Sequence, residues 1–230
     1  MCMICGEPIL YKNPTTAEIC TFCGEEFTCE GMCANGHKVC KGCSDNQAVN
    51  LIKSTCLNTR SKNPYEIAIG IMKNPVMRMH DVRHHILVGS ALLAAYHNCG
   101  GDIKLAESLE EMEKRGKQIP PGACGYLGNC GAAVSSGAFF SIVTGTTPHS
   151  ENNWSLANTL TGTCLIEMGK LTGPRCCKRD SFIALGTTID FIADTFEIHM
   201  EKPTKLICEF SERNAECIKD KCPYYAKETV

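Results

Sequence analysis

Cysteine spacing carries the chemistry that can be read from this chain. Cys2-x2-Cys5 and Cys20-x2-Cys23 are separated by fourteen residues, and Gly6 and Gly24 follow the two pairs. A CxxC turn presents two thiolates to one tetrahedral ion, and the glycine lets backbone amides turn toward the sulfurs. The segment CANGHKVCKGC then supplies Cys33, His37, Cys40 and Cys43 at ligand spacing. These eight donors predict two zinc ions within residues 1–45. The spacing fits two arrangements equally well. In a ribbon the first four cysteines share one ion; in a cross-brace the two sites exchange pairs. Cys29 is a spare thiol that can stand in for Cys33. So short a segment has few apolar residues to bury, so metal supplies most of its folding energy. Zinc with four protein ligands has no open position for a substrate, which makes this chemistry structural.

A second group of cysteines lies in the C-terminal half. The loop GACGYLGNCG places Cys124 and Cys130 on a glycine-rich segment that can wrap a ligand. In Arg175-Cys176-Cys177-Lys178-Arg179 two thiols are bracketed by three cations, just before a helix expected over Ser181–Phe196 with Asp180 or Ser181 as its cap. Neighbouring cations and a helix start both favour thiolate, so Cys176 and Cys177 are expected to be acidic and are the catalytic candidates. A disulfide between adjacent cysteines closes a small strained ring, so metal or sulfur chemistry is more natural there. The tail carries Cys208-x8-Cys217-x4-Cys222-Pro223, and a terminal Cys-Pro is a feature of iron–sulfur ligation, although the full ferredoxin spacing is absent. We expect Cys124, Cys130, Cys176, Cys177, Cys208, Cys217 and Cys222 to meet in one site, as iron–sulfur ligands or as activated thiols. Cys56, Cys99 and Cys164 lie in or at the ends of apolar helices, where a buried thiol is ordinary packing.

His80 and His84 are four apart at the start of an expected helix, Asp81–His97, and two histidines at that spacing can ligate one metal ion. The alternative is a capping histidine beside satisfied polar side chains.

The elements that must position these residues are mostly helical. Helices are expected over Gln47–Thr59, from Asn63-Pro64-Tyr65-Glu66 to Asn74, over Asp102–Arg115 with a Glu110–Lys114 pair, from Gly131 onward, and over Trp154–Leu171. Small residues Ala133, Gly137 and Ser141 would let another helix approach closely. Lys205–Phe210 reads as a short strand. The fold class is therefore mainly α: a zinc-ribbon or cross-brace-like double-zinc module, residues 1–45, then an α-helical domain, residues 46–230, ending in a cysteine-rich tail.

Bulk properties narrow the function. Eighteen cysteines among 230 residues, no visible secretory signal and no apolar run long enough for a bilayer point to a cytoplasmic protein with reduced or metal-bound thiols. A net charge of −2 offers no general field for nucleic acid. No nucleotide-phosphate loop or Ser–His–Asp arrangement is visible.

ACGYLGNCGAA, GPRCCKRDS and the closing N-x2-C-x4-CPYY together resemble a cysteine-rich domain-of-unknown-function family of anaerobic prokaryotes. Members of that family also begin with paired CxxCG knuckles and a Cys–Gly–His–Cys-x2-Cys segment, so the resemblance covers nearly the whole chain. Some relatives stand beside or are fused to methyltransferase or radical-SAM proteins, which implies such a partner and anaerobic metal or sulfur chemistry. One departure is visible. The family's Met-His-Gly-Pro-Glu-His-His is here Met79-His80-Asp81-Val82-Arg83-His84-His85, with Arg83 where the glutamate would stand. Three functions follow as expectations: an enzyme or accessory protein using an iron–sulfur cluster or reactive thiols, a non-catalytic zinc adaptor for a protein partner, and a redox carrier.

Overall fold

The cysteine-rich N-terminus is built on a hairpin of two antiparallel strands, β1 (Ile9–Ile19) and β2 (Glu26–Cys33). Ile9 pairs with Cys33 at the open end and Ile19 with Glu26 at the turn, with a register shift between Tyr11 and Thr16. The computed structural model describes residues 2, 4, 5 and 7–226, with the backbone alone at 12 and 13; Gly6, expected to support the first knuckle, lies outside the described residues. The segment after β2 runs back along the hairpin, held where Thr21 N–H donates to the Lys38 carbonyl (2.8 Å) and Lys38 pairs with Glu18 (2.5 Å).

Helices follow: α1 (Lys41–Asn58), α2 (Pro64–Lys73), α3 (His84–Asn98), α4 (Leu105–Lys117), the short α5 (Ala123–Tyr126), α6 (Gly131–Val143), α7 (Asn152–Gly169) and α8 (Cys177–Phe196). The tail folds over them with a single 3₁₀ turn at Lys219–Lys221. α2 starts as its sequence requires. The Asn63 side chain accepts from Tyr65 and Glu66 N–H at 3.0 and 3.4 Å, and Pro64 occupies the first helical position.

α3 is the axis of the core. It is apolar on every side, buries Ile86, Leu87, Leu92 and Leu93 completely or nearly so, and packs against α1, α2, α4, α6 and α8. α4 lies across it with Leu109 and Met112 inward, while Glu110 and Glu113 grip Lys53 of α1. Lys114 pairs with Glu111 rather than with Glu110, whose carboxylate is drawn to Lys53 on the neighbouring helix.

The small residues of α6 do what their spacing suggested. A Cβ on Gly137 would stand 2.0 Å from Thr161 Oγ1 and 3.1 Å from the Ala157 carbonyl, both on α7. Ser135 Oγ accepts the Gly89 N–H of α3 at 2.8 Å, so α6 is pinned between two helices.

Five helix starts differ from the sequence expectation: α4 begins at Leu105 instead of Asp102, α7 at Asn152 instead of Trp154, and three have a visible cause. α1 begins at Lys41 instead of Gln47 and α8 at Cys177 instead of Ser181, because a cysteine sulfur caps each. α3 begins at His84 instead of Asp81, because the Asp81 side chain accepts the Arg83 N–H (2.7 Å) and holds the preceding residues in a turn. The strand expected at Lys205–Phe210 does not form. Among the described residues no other strand lies beside this segment, and the Cys208 N–H instead donates to the Tyr224 carbonyl (2.6 Å) within the tail.

Close packing at Gly137 can be tested against an open glycine on the facing helix. Gly137→Val should destabilise the fold by about 2 kcal/mol through overpacking. Gly162→Ala, where nothing lies within 4 Å of the new Cβ, should be neutral or stabilising by up to about 1 kcal/mol. Urea denaturation midpoints of the two variants should move in opposite directions or, at the least, only the first should fall.

Candidate metal centres

The eight N-terminal donors gather into two groups. Cys2, Cys5, Cys33 and His37 meet at the open end of the hairpin, and Cys20, Cys23, Cys40 and Cys43 at its turn, with all donor atoms of a group within 4.8 Å of one another. This is the cross-brace. The ribbon alternative fails because β1 lies between the first two pairs and carries them to opposite ends of the hairpin. Sulfurs of Cys5 and Cys33, and of Cys23 and Cys40, are 3.8 Å apart. His37 turns Nδ1 inward, 3.5 Å from Cys33 Sγ and 3.7 Å from Cys2 Sγ. Gly36, at φ +75°, makes the turn that returns His37 to Cys33. Cys29 belongs to neither group; its buried thiol donates to the Gly31 carbonyl (3.0 Å).

Backbone amides point at these sulfurs. Ile4 N–H donates to Cys2 Sγ, Cys40 N–H to Cys20 Sγ and Cys43 N–H to Cys40 Sγ, each at 3.4 Å. Four donors this close cannot all ionise unless a cation sits among them. In the second group, sulfur neighbours Cys40 and Cys23 push Cys43 up to about 12. Burial also works against ionising Cys20, but amides of Cys23, Cys40 and Phe22 outweigh it and bring that thiol down to about 6. In the first group the Glu7 amide helps bring Cys5 to about 6, whereas burial raises Cys2. Each group thus holds thiolate and thiol side by side, a set that a metal ion completes by displacing the remaining protons.

The histidine pair is not formed. His80 lies in a turn ahead of α3, so helical spacing does not relate it to His84. His84 is fully engaged: Nδ1–H donates to the Asp81 carbonyl (3.0 Å) and Nε2 accepts from Lys178 Nζ (2.9 Å). Burial, with the Lys178 ammonium alongside, lowers its pKa to about 3. His80 faces the C-terminal cysteines instead. Its Nδ1 accepts the Cys177 N–H (3.5 Å), its Nε2 meets Asn214 Oδ1 (3.0 Å), and Asn214 Nδ2 reaches Cys176 Sγ (3.7 Å). Asn214 was visible in the N-x2-C motif but not as a partner of a cysteine 38 residues away.

Arg83, the residue that departs from the resembled pattern, is buried and joins the two parts of the chain. Its guanidinium takes both oxygens of Asp81 (2.8 and 2.6 Å) and reaches Asp45 Oδ1 (2.8 Å) and Ser44 Oγ (3.3 Å) on the first turn of α1.

The seven C-terminal cysteines come to one end of the helical domain, around the start of α8, but not into one set. Cys176, Cys208, Cys217 and Cys222 line a first cavity with Met79 and Phe210. Cys124 and Cys130 line a second, of about 560 Å³, with Arg175 and Asp180. Arg179 and Glu216 border both, and Cys177 lines neither. The expected acidity of the vicinal pair is reversed. Burial pushes Cys177 up to about 12 and raises Cys176 as well, against the Arg179 amide. Two of the three flanking cations are occupied elsewhere: Lys178 is buried against His84 and the Arg78 carbonyl, and Arg179 is bound to Asp180 and to carbonyls of Thr172 and Pro174.

Residues 52–225 match a family of unknown function (DUF5714). The chain belongs to this family. The match begins inside α1 and takes in both cysteine-lined cavities, but none of the eight N-terminal donors. The motifs led us to expect a family of this kind over nearly the whole chain; the match leaves out residues 1–51. No curated protein and no solved structure matches the chain.

Two outcomes follow from this geometry. Arg83→Ala leaves the Asp81 carboxylate buried without its counter-charge and should cost about 3–5 kcal/mol in urea denaturation at pH 7. Burial opposes the Asp81 anion, yet Arg83 holds its pKa below the ordinary 3.8. That stabilisation is present above about pH 4 and fades as pH falls through the folded pKa, so the gap between wild type and variant should narrow in acid. In protein without iron, alkylation at pH 8 resolved by peptide should find Cys177 slower than an unstructured model thiol, and equal to it once the chain is unfolded.

Proposed function

We propose that residues 1–45 fold around two structural zinc ions and that the DUF5714 segment uses its cysteine-lined end for redox or sulfur-related chemistry. Donor geometry carries the first half. Zinc–sulfur bonds of about 2.3 Å place tetrahedral sulfurs about 3.8 Å apart, and a nitrogen bound at about 2.0 Å stands about 3.5 Å from each sulfur. The observed sulfur–sulfur contacts of 3.8 Å and the His37 contacts of 3.5 and 3.7 Å match those edges. Thiolate-rich sets select zinc over magnesium or calcium, and four protein ligands leave no open position. Convergence of Cys124, Cys130, Cys176, Cys177, Cys208, Cys217 and Cys222 at one end of the domain supports the second half, as an iron–sulfur cluster or as working thiols. So many reduced thiols favour a cytoplasmic setting. Among the described residues no helix is long and apolar enough to cross a membrane.

A second reading, a non-catalytic zinc adaptor, draws on the hairpin surface. Leu10, Tyr11, Ile19 and Phe22 are exposed on the N-terminal module, an apolar set suited to a protein partner. A methyltransferase or radical-SAM enzyme is the partner that the resemblance implies.

Anaerobic purification with metal and acid-labile sulfide analysis separates the readings: iron and sulfide beside zinc favour redox or sulfur chemistry, and zinc alone favours the adaptor. Two zinc equivalents are expected in either case. Cys5→Ser and Cys33→Ser should each release the same single equivalent, and combining them should release no more. Combining Cys5→Ser with Cys23→Ser should release both. A ribbon arrangement would reverse those two results.

A further inference from the structure

We infer that the helical domain holds a third metal centre, an iron–sulfur cluster ligated by Cys176, Cys208, Cys217 and Cys222, and that Cys124 and Cys130 are not among its ligands. This sharpens the redox or sulfur reading above and rests on it.

Hydrogen bonding separates several cysteines of this chain into two kinds. Sulfurs that serve as thiols donate to carbonyls: Cys29 to Gly31 (3.0 Å), Cys99 to His199 (3.5 Å) and Cys164 to Ala184 (4.0 Å). Sulfurs of the N-terminal metal groups accept from amides, which is the arrangement that suits an anion. Cys208 and Cys217 are of the second kind. Phe210 N–H donates to Cys208 Sγ and Lys219 N–H to Cys217 Sγ, both at 3.4 Å, the same i+2 contact that Ile4 makes to Cys2. Cys176 repeats a different ligand, Cys40. Each is the N-cap of a long helix, and each sulfur accepts the N–H three residues on, at 3.5 Å from Arg179 and 3.4 Å from Cys43. The Asn214 amide adds a further donor to Cys176 Sγ at 3.7 Å. Cys130 is also a helix N-cap, with the Ala132 and Ala133 amides near its sulfur, and what sets it apart is the separate cavity that it lines with Cys124.

The four thiols line one cavity, and Cys222, itself buried, completes the set. Met79, Phe182, Phe210 and Tyr224 form most of the apolar wall. Charges of both signs stand around it, with cations in excess: Arg179, paired with Asp180, and Glu216 line the cavity, and Lys178 and Arg213 lie 5.2 and 5.4 Å from the centroid of Phe210. An excess of positive charge at the border of an apolar cavity suits a cluster with four thiolate ligands. Spacing argues against a preformed site for a single ion. In each N-terminal group all donors lie within 4.8 Å of one another, but among the described residues no three of these four sulfurs do. One ion would have to draw them together; a cluster binds each thiolate at its own iron corner and leaves them apart. Each thiol releases its proton to solvent as it binds iron. Cys124 and Cys130 then flank the larger neighbouring cavity, held together where Asn129 N–H donates to the Ala123 carbonyl (3.1 Å).

The test uses the full chain carrying its zinc, reconstituted anaerobically with ferrous iron and sulfide. Wild type should take up iron and acid-labile sulfide and show visible charge-transfer absorption. Cys208→Ser and Cys217→Ser should lose most of both while keeping two zinc equivalents, which reports an intact N-terminal module. Cys124→Ser with Cys130→Ser should keep its iron. Alkylation of iron-loaded wild type gives a readout that needs no variant to fold: Cys176, Cys208, Cys217 and Cys222 should be protected and Cys124 labelled. If the Cys124 and Cys130 changes remove as much iron as the Cys208 change, the ligand set is wrong although the cysteine-centre reading stands. If the four thiols bind a third zinc and no iron, the cluster is wrong and the redox reading loses its cofactor. Absence of any metal beyond two zinc ions overturns the inference outright, and leaves the broader reading only its working thiols.

Discussion

Helix α1 starts on a sulfur that the second metal group also needs. Cys40 is its N-cap, Cys43 lies in its first turn, and the Cys43 N–H is bound to Cys40 Sγ. An N-cap must satisfy an amide that no helical carbonyl can reach. The Cys40 sulfur does this at the end of the helix where negative charge is favoured, and a metal ion bound there would keep it a thiolate. Folding of the small module is thereby tied to the start of a helix that packs on α3, the axis of the core. Without the metal groups the hairpin would be a two-stranded ribbon with little to bury, which is marginal on its own in water.

The second tie is ionic. Arg83 bridges the turn that precedes α3 to Asp45 and Ser44 on α1, and Asp81 in that turn also receives its guanidinium. The same short turn carries His80, which reaches toward Cys177 and Asn214, and leads into His84, which receives Lys178. Residues 80–84 therefore touch the metal module on one side and the cysteine-lined end on the other. A buried lysine meeting a neutral histidine and a carbonyl is an unusual choice for a core. Burial lowers the Lys178 pKa to about 8, so the ammonium is held there at a cost to stability at neutral pH.

The boundary of the family match fits this division of labour. The matched segment contains most of the core, the buried Lys178–His84 contact and both cysteine-lined cavities, while the two N-terminal donor groups lie ahead of it and are joined to it through α1. Leu10, Tyr11, Ile19 and Phe22 are exposed on the N-terminal module.

Several features were legible in residue order alone because they depend on local geometry. Eight donors at ligand spacing, the Asn63-Pro64 helix start, the apolar α3 and the close-packing residues of α6 all come from contacts within a few positions or from hydrophobic periodicity. Which donors share an ion was not local: the length of β1, a strand whose register is set by its partner, sends neighbouring pairs to opposite ends. Nor was the acidity of Cys176 and Cys177. Flanking cations predicted thiolates, but tertiary packing buried the sulfurs and drew Lys178 and Arg179 to other partners. His80 and His84 shared a helical face only if the helix began early; the Asp81–Arg83 turn starts it at His84. Desolvation and long-range hydrogen bonds decide these points, and both depend on residues up to a hundred or more positions away.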